Sequence, residues 1–234
     1  MSAPARRTYV VTGAGSGIGA AVADRLHARG DALVLVVRDD QRAVDLQDAY
    51  AGSTALVADL ADPEALEQAL ASGLPTSVDG VVHAAGVVDL APIGDIDLAS
   101  WQQTLAVNVT APMLLTRALL PALRAARGTA VMVNSSAGRR AHPDWASYAA
   151  SKFALRALAD ALRAEEGGRG VRVSTVYPGR TATPMQALVH AQEGKEYDPD
   201  DWVSAATVAD SVVHCLDLPA GATVPELVVQ PAPR

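Results

Sequence analysis

The chain has 234 residues, half of them hydrophobic, with 18 glycines and a formal charge of −7, which describes one soluble domain with a substantial core and no second domain. The acidic balance includes no basic run, so neither nucleic acid nor an anionic membrane is an expected partner, and no stretch approaches the roughly 20 apolar residues of a membrane helix. Residues 1–7 lack a signal-peptide apolar region, Cys215 has no second cysteine to pair with, and the five histidines show no metal-ligand spacing, so a cytoplasmic protein without a bound metal is expected.

Short apolar runs alternate with longer helical patterns along the chain. Strands are expected at 9–12, 33–37, 55–58, 80–83, 130–134, 171–176 and 227–229. Several are nearly continuous Val, Leu and Ala, as in strands covered by helices on both faces. The pattern predicts an α/β fold built from successive βαβ units around a parallel sheet of about seven strands.

The first strand runs into Thr12-Gly13-Ala14-Gly15-Ser16-Gly17-Ile18-Gly19 and then into a helical pattern at 20–29, closed by Gly30. Glycines let the backbone turn sharply and bring a pyrophosphate against the N–H groups and positive dipole of a helix start. Gly13, Ser16, Gly17, Ile18 and Gly19 are therefore candidate phosphate contacts. After the second strand, Val37-Arg38-Asp39-Asp40 stands where such folds meet the adenosine ribose, and the two aspartates equally suit a helix cap. Asp62-Pro63 reads as the cap and first residue of another helix.

The fourth strand ends in His83, which reads as a structural histidine. The long helical run 98–126 contains Asn108 and, four residues on, Pro112. Proline has no N–H to donate to the carbonyl of Asn108, so a kink is expected there. Cys215 falls in a helical pattern at 207–218 and reads as packing.

Between the fifth and sixth strands, Tyr148 and Lys152 lie four apart in an Ala-rich helical segment, so both side chains rise from one helix face. A free tyrosine has a pKa of about 10, and lowering it to about 7 takes roughly 4 kcal/mol, more than one part-solvated lysine supplies. So tuned, Tyr148 could exchange a proton with an alcohol or ketone oxygen that a serine of the preceding Ser135-Ser136 loop also contacts.

Thr12, Gly13, Gly17 and Gly19 in the Thr-Gly-x-x-x-Gly-x-Gly pattern, followed in order by Asn108, a serine, Tyr148 and Lys152, resemble the short-chain dehydrogenase/reductase family over essentially the whole chain. The resemblance implies a Rossmann-type doubly wound sheet with helices on both faces and a nicotinamide cofactor. Tyr148 is then the general acid/base, Lys152 its pKa-lowering and ribose-binding neighbour with the cationic oxidised nicotinamide supplying the rest of that shift, and the Asn108 backbone oxygen the holder of a relay water. The Ser-x-x-Gly match at Gly138 selects Ser135 over Ser136. Asp59 and Leu60 match an adenine-contacting pair. Counting from Gly30, the family's acidic position falls on Val37 and its NADP-associated basic position on Arg38, so NADP(H) is expected ahead of NAD(H). Ala85 and Gly86 approach the cofactor, although His83-Ala84 replaces the usual Asn-Asn and with it two contacts that brace the sheet. Pro178, Gly179, Thr181 and Thr183 belong to a segment folding over the nicotinamide. Arg180 stands there where an apolar residue is common, as either a solvated side chain or a substrate contact.

Residues 184–203 are irregular and polar and correspond to the family's substrate lid. Homodimers or homotetramers are implied, pairing through the apolar helices at 98–126 and 147–164. The expected activity is NADP(H)-dependent interconversion of a small ketone or aldehyde and its alcohol. The alternatives are an NAD-dependent alcohol dehydrogenase of the same fold and a catalytically silent nucleotide sensor, while the glycine spacing disfavours a sugar-nucleotide epimerase.

Overall fold

The computed structural model describes residues 6–232. Residues 1–5, part of the stretch read as lacking a signal-peptide character, lie outside the described residues. All seven expected strands form. They are β1 (Thr8–Thr12), β2 (Ala32–Val37), β3 (Thr54–Val57), β4 (Gly80–His83), β5 (Thr129–Val133), β6 (Arg172–Pro178) and β9 (Glu226–Val229), joined in one parallel sheet of order β3-β2-β1-β4-β5-β6-β9. The order reverses between β1 and β4, which opens a crevice at the carboxyl ends of the strands. A two-stranded parallel pair, β7 (Thr181–Ala182) with β8 (Val203–Ser204), lies beside it and is too short to show in the sequence pattern.

Alternate strand residues feed two cores, since side chains leave a strand by opposite faces in turn. Val11, Leu35 and Val131 pack with helix α1 (Gly17–Ala28) and helix α8 (Ala205–Asp217), through Val22, Leu26, Val208, Val212 and Cys215. Val10, Val34, Val81 and Met132 pack on the other face with α5 (Ala111–Ala126) and α6 (Ala146–Glu166), through Leu115, Leu119, Leu155 and Ala159. Cys215 is thus a core residue, as its sequence context indicated.

The remaining helices start where their caps place them. Asp39 accepts from Arg42 N at the head of α2 (Asp40–Ala49), and Asp62 accepts from Glu64 N and Ala65 N at the head of α3 (Pro63–Leu70). Helix α4 (Leu98–Leu105) passes into α5 through a π-helical turn at Ala106–Thr110, which centres on Asn108 and confirms the break that Pro112 requires.

Two expectations are corrected. The run Leu98–Ala126 is, by length and composition, apolar enough to cross a bilayer. Here it serves as a core helix, with half of its most apolar window buried because that face covers the sheet. Residues 184–203 are not irregular throughout either. Pro184–Gln192 is a helix, α7, with Thr183 accepting from Gln186 N at its cap and Pro184 in the first turn. The polar composition masked a cap-plus-proline start and an apolar side that buries Val189.

Candidate active site

The carboxyl ends of the strands surround a cleft of about 820 Å³ that runs from Arg38 and Asp59 at one end to Tyr148 and Arg180 at the other. Its floor is bare backbone. A Cβ on Gly13, which has φ +74°, would stand 2.8 Å from Ala85 N, and one on Gly86 would stand 3.3 Å from Asn108 Oδ1 and 3.7 Å from Lys152 Nζ. Gly19 carries α1 against the turn so closely that a Cβ would meet Gly13 O at 2.2 Å. Ser16 is the extended cap residue of α1, and its hydroxyl makes no capping bond. The loop therefore presents Ser16, Gly17 and Ile18 at a helix start toward the cleft, and an extended phosphate-bearing ligand fits that cradle.

The loop after β4 is braced from outside itself. Ala84 N and Ala85 N donate to Thr12 Oγ1, each at 3.1 Å, and Val87 N donates to Asn108 Oδ1 at 2.9 Å. These bonds tie the loop to β1 and to the π turn. His83 points into the core instead. Its Nε2 pairs with Thr116 Oγ1 at 2.9 Å, while its Nδ1 has no partner. Burial lowers its pKa to about 4, so it is a neutral, half-satisfied structural histidine.

Ser135, Tyr148 and Lys152 meet at the inner end of the cleft, where they line it together. Ser135 leaves the end of β5 and its Oγ accepts from Ala137 N, which starts the 3-10 turn Ser136–Gly138. Ser136 is exposed. Asn134 ties this turn to α6 by accepting from Ser135 N and donating to Lys152 O at 3.0 Å. Lys152 Nζ donates to Val133 O at 3.1 Å and lies 5.6 Å from the centre of the Tyr148 ring.

Burial pushes the Tyr148 phenol up to about 12, opposed by the Ser135 hydroxyl, and lowers the Lys152 ammonium to about 8. Both groups are taken out of water, and burial sets the direction of both shifts.

Asn108 also clamps, through its side chain. Besides holding Val87 N, its Nδ2 donates to Val87 O and to Ser151 Oγ, and Ser151 Oγ donates to Tyr148 O at 2.7 Å. A continuous set of bonds thus joins the loop after β4, the π turn and the helix carrying Tyr148.

A sequence model described as short chain dehydrogenase matches residues 7–194. The chain belongs to that family. A 1-deoxy-11-beta-hydroxypentalenate dehydrogenase of Streptomyces exfoliatus is 38% identical over 90% of this chain and 79% of its own length. A glycine betaine reductase of Emericella nidulans is 31% identical over 96% of this chain, which spans only 19% of that protein. The solved alcohol dehydrogenase of Thermococcus sibiricus, complexed with 5-hydroxy-NADP, superposes with a TM-score of 0.83 at 26% identity, covering 97% of both chains.

At the Arg38 end of the cleft, Asp39 is occupied by its helix cap and by Arg38 Nε at 2.9 Å. Asp59 accepts from Ala61 N, and Leu60 lines the same wall. Pro178, Gly179, Thr181 and Thr183 close the cleft from above. Thr183 sits against the glycine-rich turn, since a Cβ on Gly17 would meet its Cγ2 at 3.1 Å. Sequence reasoning missed Arg42, which lines the cleft beside Arg38. Its position one turn beyond the Asp39 cap was the available signal. It also missed Ser151 and Asn134, whose roles arise from contacts between elements distant in sequence.

Proposed function

We propose that this chain is an NADP(H)-dependent oxidoreductase interconverting a small ketone or aldehyde and its alcohol, with Tyr148 as general acid/base. One observation carries the reading: a buried tyrosine, a serine hydroxyl and an ammonium converge at the inner end of a cleft whose floor and phosphate loop are bare backbone. The substrate oxygen accepts hydrogen bonds from Ser135 Oγ and the Tyr148 hydroxyl. A phenol with pKa about 12 is in its acid form at neutral pH, the form needed to protonate an oxygen that is gaining negative charge. A bound nicotinamide supplies the hydride in reduction and accepts it in oxidation. Lys152 binds ribose and, near its pKa of about 8, exchanges protons on the path to solvent. The Asn108 carbonyl, denied a donor at Pro112, holds the relay water.

NADP is favoured over NAD because Arg38 and Arg42 both face the adenosine end while the neighbouring Asp39 carboxylate is already engaged. Val37 offers no carboxylate to a ribose. The NADP analogue bound to the Thermococcus sibiricus structure is in line with this. Charge-assisted bonds to a 2′-phosphate correspond to roughly 10- to 150-fold preference. Carbonyl substrates screened with NADPH and NADH in parallel test both parts. NADPH should win by that factor, and Val37→Asp with Arg38→Ala should reverse the order. Equal use by the wild type overturns the NADP assignment, and a protein that binds NADPH but reduces nothing is a nucleotide sensor.

A further inference from the structure

Beyond Tyr148 the cleft is closed by a cluster that the proton-transfer chemistry does not use. Arg180, between β6 and β7, lays its guanidinium between two indoles, 6.0 Å from the Trp145 ring centre and 5.4 Å from that of Trp202. Trp145 in turn packs edge-on against Tyr148 at 5.8 Å, so the guanidinium is one indole away from the reacting phenol. Arg180 Nη2 donates to Glu193 Oε1 at 2.5 Å, and Lys195 Nζ donates to Glu193 Oε2 at 3.1 Å. Arg180 and Glu193 both line the cleft. Among the described residues, Nε and Nη1 of Arg180 have no hydrogen-bond partner.

The charges of this cluster do not cancel. Two cations share one carboxylate, which they hold below the usual carboxylate range. If an anion took over Arg180, Glu193 would keep Lys195. A guanidinium flanked by indoles is poorly hydrated and retains its planar fork of donors, the geometry that matches a carboxylate. The adjoining stretch 193–201 carries Glu193, Glu196, Asp198, Asp200 and Asp201 against Lys195, so an anion is drawn by the donors of Arg180 itself at short range and not by the surrounding charge.

Resting on the oxidoreductase reading, we propose that Arg180 anchors an anionic group of the substrate, so that the carbonyl compounds taken by this chain carry a carboxylate or an equivalent monoanion. Trp145 and Trp202 hold the anchor, and Glu193 is its stand-in anion when no substrate is present. The competing role for the same contacts is a latch that fastens α7 over the cleft.

Medium-chain oxo carboxylates compared with their methyl esters separate the two roles. The acids should have kcat/KM about 10- to 100-fold above the esters, the range of a charge-assisted pair. Arg180→Gln should lower the acids by that factor relative to the esters, mainly in KM, and Arg180→Lys should recover part of the preference. Glu193→Gln should tighten carboxylate binding by removing a competitor, where a latch predicts loosening. Calorimetric binding of hexanoate against hexanamide reads the anchor without turnover. Arg180-dependent hexanoate binding in a protein that reduces nothing keeps the anchor and discards the oxidoreductase reading. Reduction of acids and esters at equal kcat/KM, or an equal fall of both in Arg180→Gln, overturns the anchor and leaves that reading standing.

Discussion

Tyr148 and His83 are both buried and both titratable, yet their surroundings give them opposite uses. Tyr148 lies on the cleft with Ser135 beside it, so its proton can be delivered to a ligand. Tyr148→Phe keeps the ring and its packing on Trp145 and loses only that proton. The variant should reduce substrate about 10² to 10⁴ times more slowly while binding NADPH within a few-fold of wild type, as single-turnover kinetics and fluorescence titration will show. The pH dependence follows from the two shifts. The phenol, raised to about 12, stays protonated through neutrality, while the ammonium, lowered to about 8, is lost as pH rises past that value. Reduction should therefore be flat from about pH 6 to 7 and decline above about 8. His83 faces the core, and its folded pKa of about 4 lies below the unfolded value of 6.5. The unfolded chain binds the proton first, so the histidine leaves stability intact above about 6.5 and removes it as pH falls toward 4. Between pH 7.5 and 4.5 this amounts to about 2 kcal/mol. Urea unfolding of His83→Asn should show a shallower loss over that interval than wild type, and equal losses would refute the assignment.

The elements that carry the site depend on close backbone approaches. Gly138 ends the 3-10 turn after Ser135 at a point where a Cβ would stand 2.3 Å from Asn134 Oδ1 and 2.9 Å from Lys152 O. Gly138→Ala must push that turn away from α6 and break the Asn134 bridge. A loss of about 1 to 3 kcal/mol is expected, measured by thermal or urea unfolding, together with a lower kcat, because Ser135 and Lys152 move apart. Unchanged stability and turnover would show that the turn relaxes freely. The π turn shows how one residue can be legible and its use hidden. Pro112 announces the break at Asn108 from covalent chemistry alone, whereas the bonds of the Asn108 side chain to Val87 and Ser151 exist only once three elements have met. Helix α7 was hidden differently. Its cap and proline were present at Thr183 and Pro184, but the polar residues after Gln192 dominated the reading of the whole segment.

For the molecule as a whole, the sheet order places the glycine loop, the loop after β4 and the ends of β5 and β6 along one edge, so a single cleft collects residues more than a hundred positions apart. The same packing leaves some apolar surface uncovered. Phe153, the only phenylalanine in the chain, is 42% exposed on the outer side of α6, and Leu98 is exposed at the start of α4. We propose a homodimer or homotetramer formed through α5 and α6, the pairing that the family resemblance implies. Light scattering at micromolar concentration should give at least twice the chain mass for wild type and a lower mass for Phe153→Asp. A wild-type monomer would discard this assembly.

The seven strands of the sheet and the close spacing of Tyr148 and Lys152 on one helix face were legible in the sequence, because each rests on local chemistry: apolar periodicity and the four-residue repeat of a helix, whereas the choice of Ser135 came from the family resemblance. Tertiary structure decided what depends on burial and on partners far along the chain. It brought Arg42 to the cleft. It tied the loop after β4 to Thr12 and Asn108, and it seated Arg180 between Trp145 and Trp202. It also buried Tyr148 and Lys152, and the cost of taking a phenol and an ammonium out of water is set by everything packed around them, of which four residues of spacing carry no record.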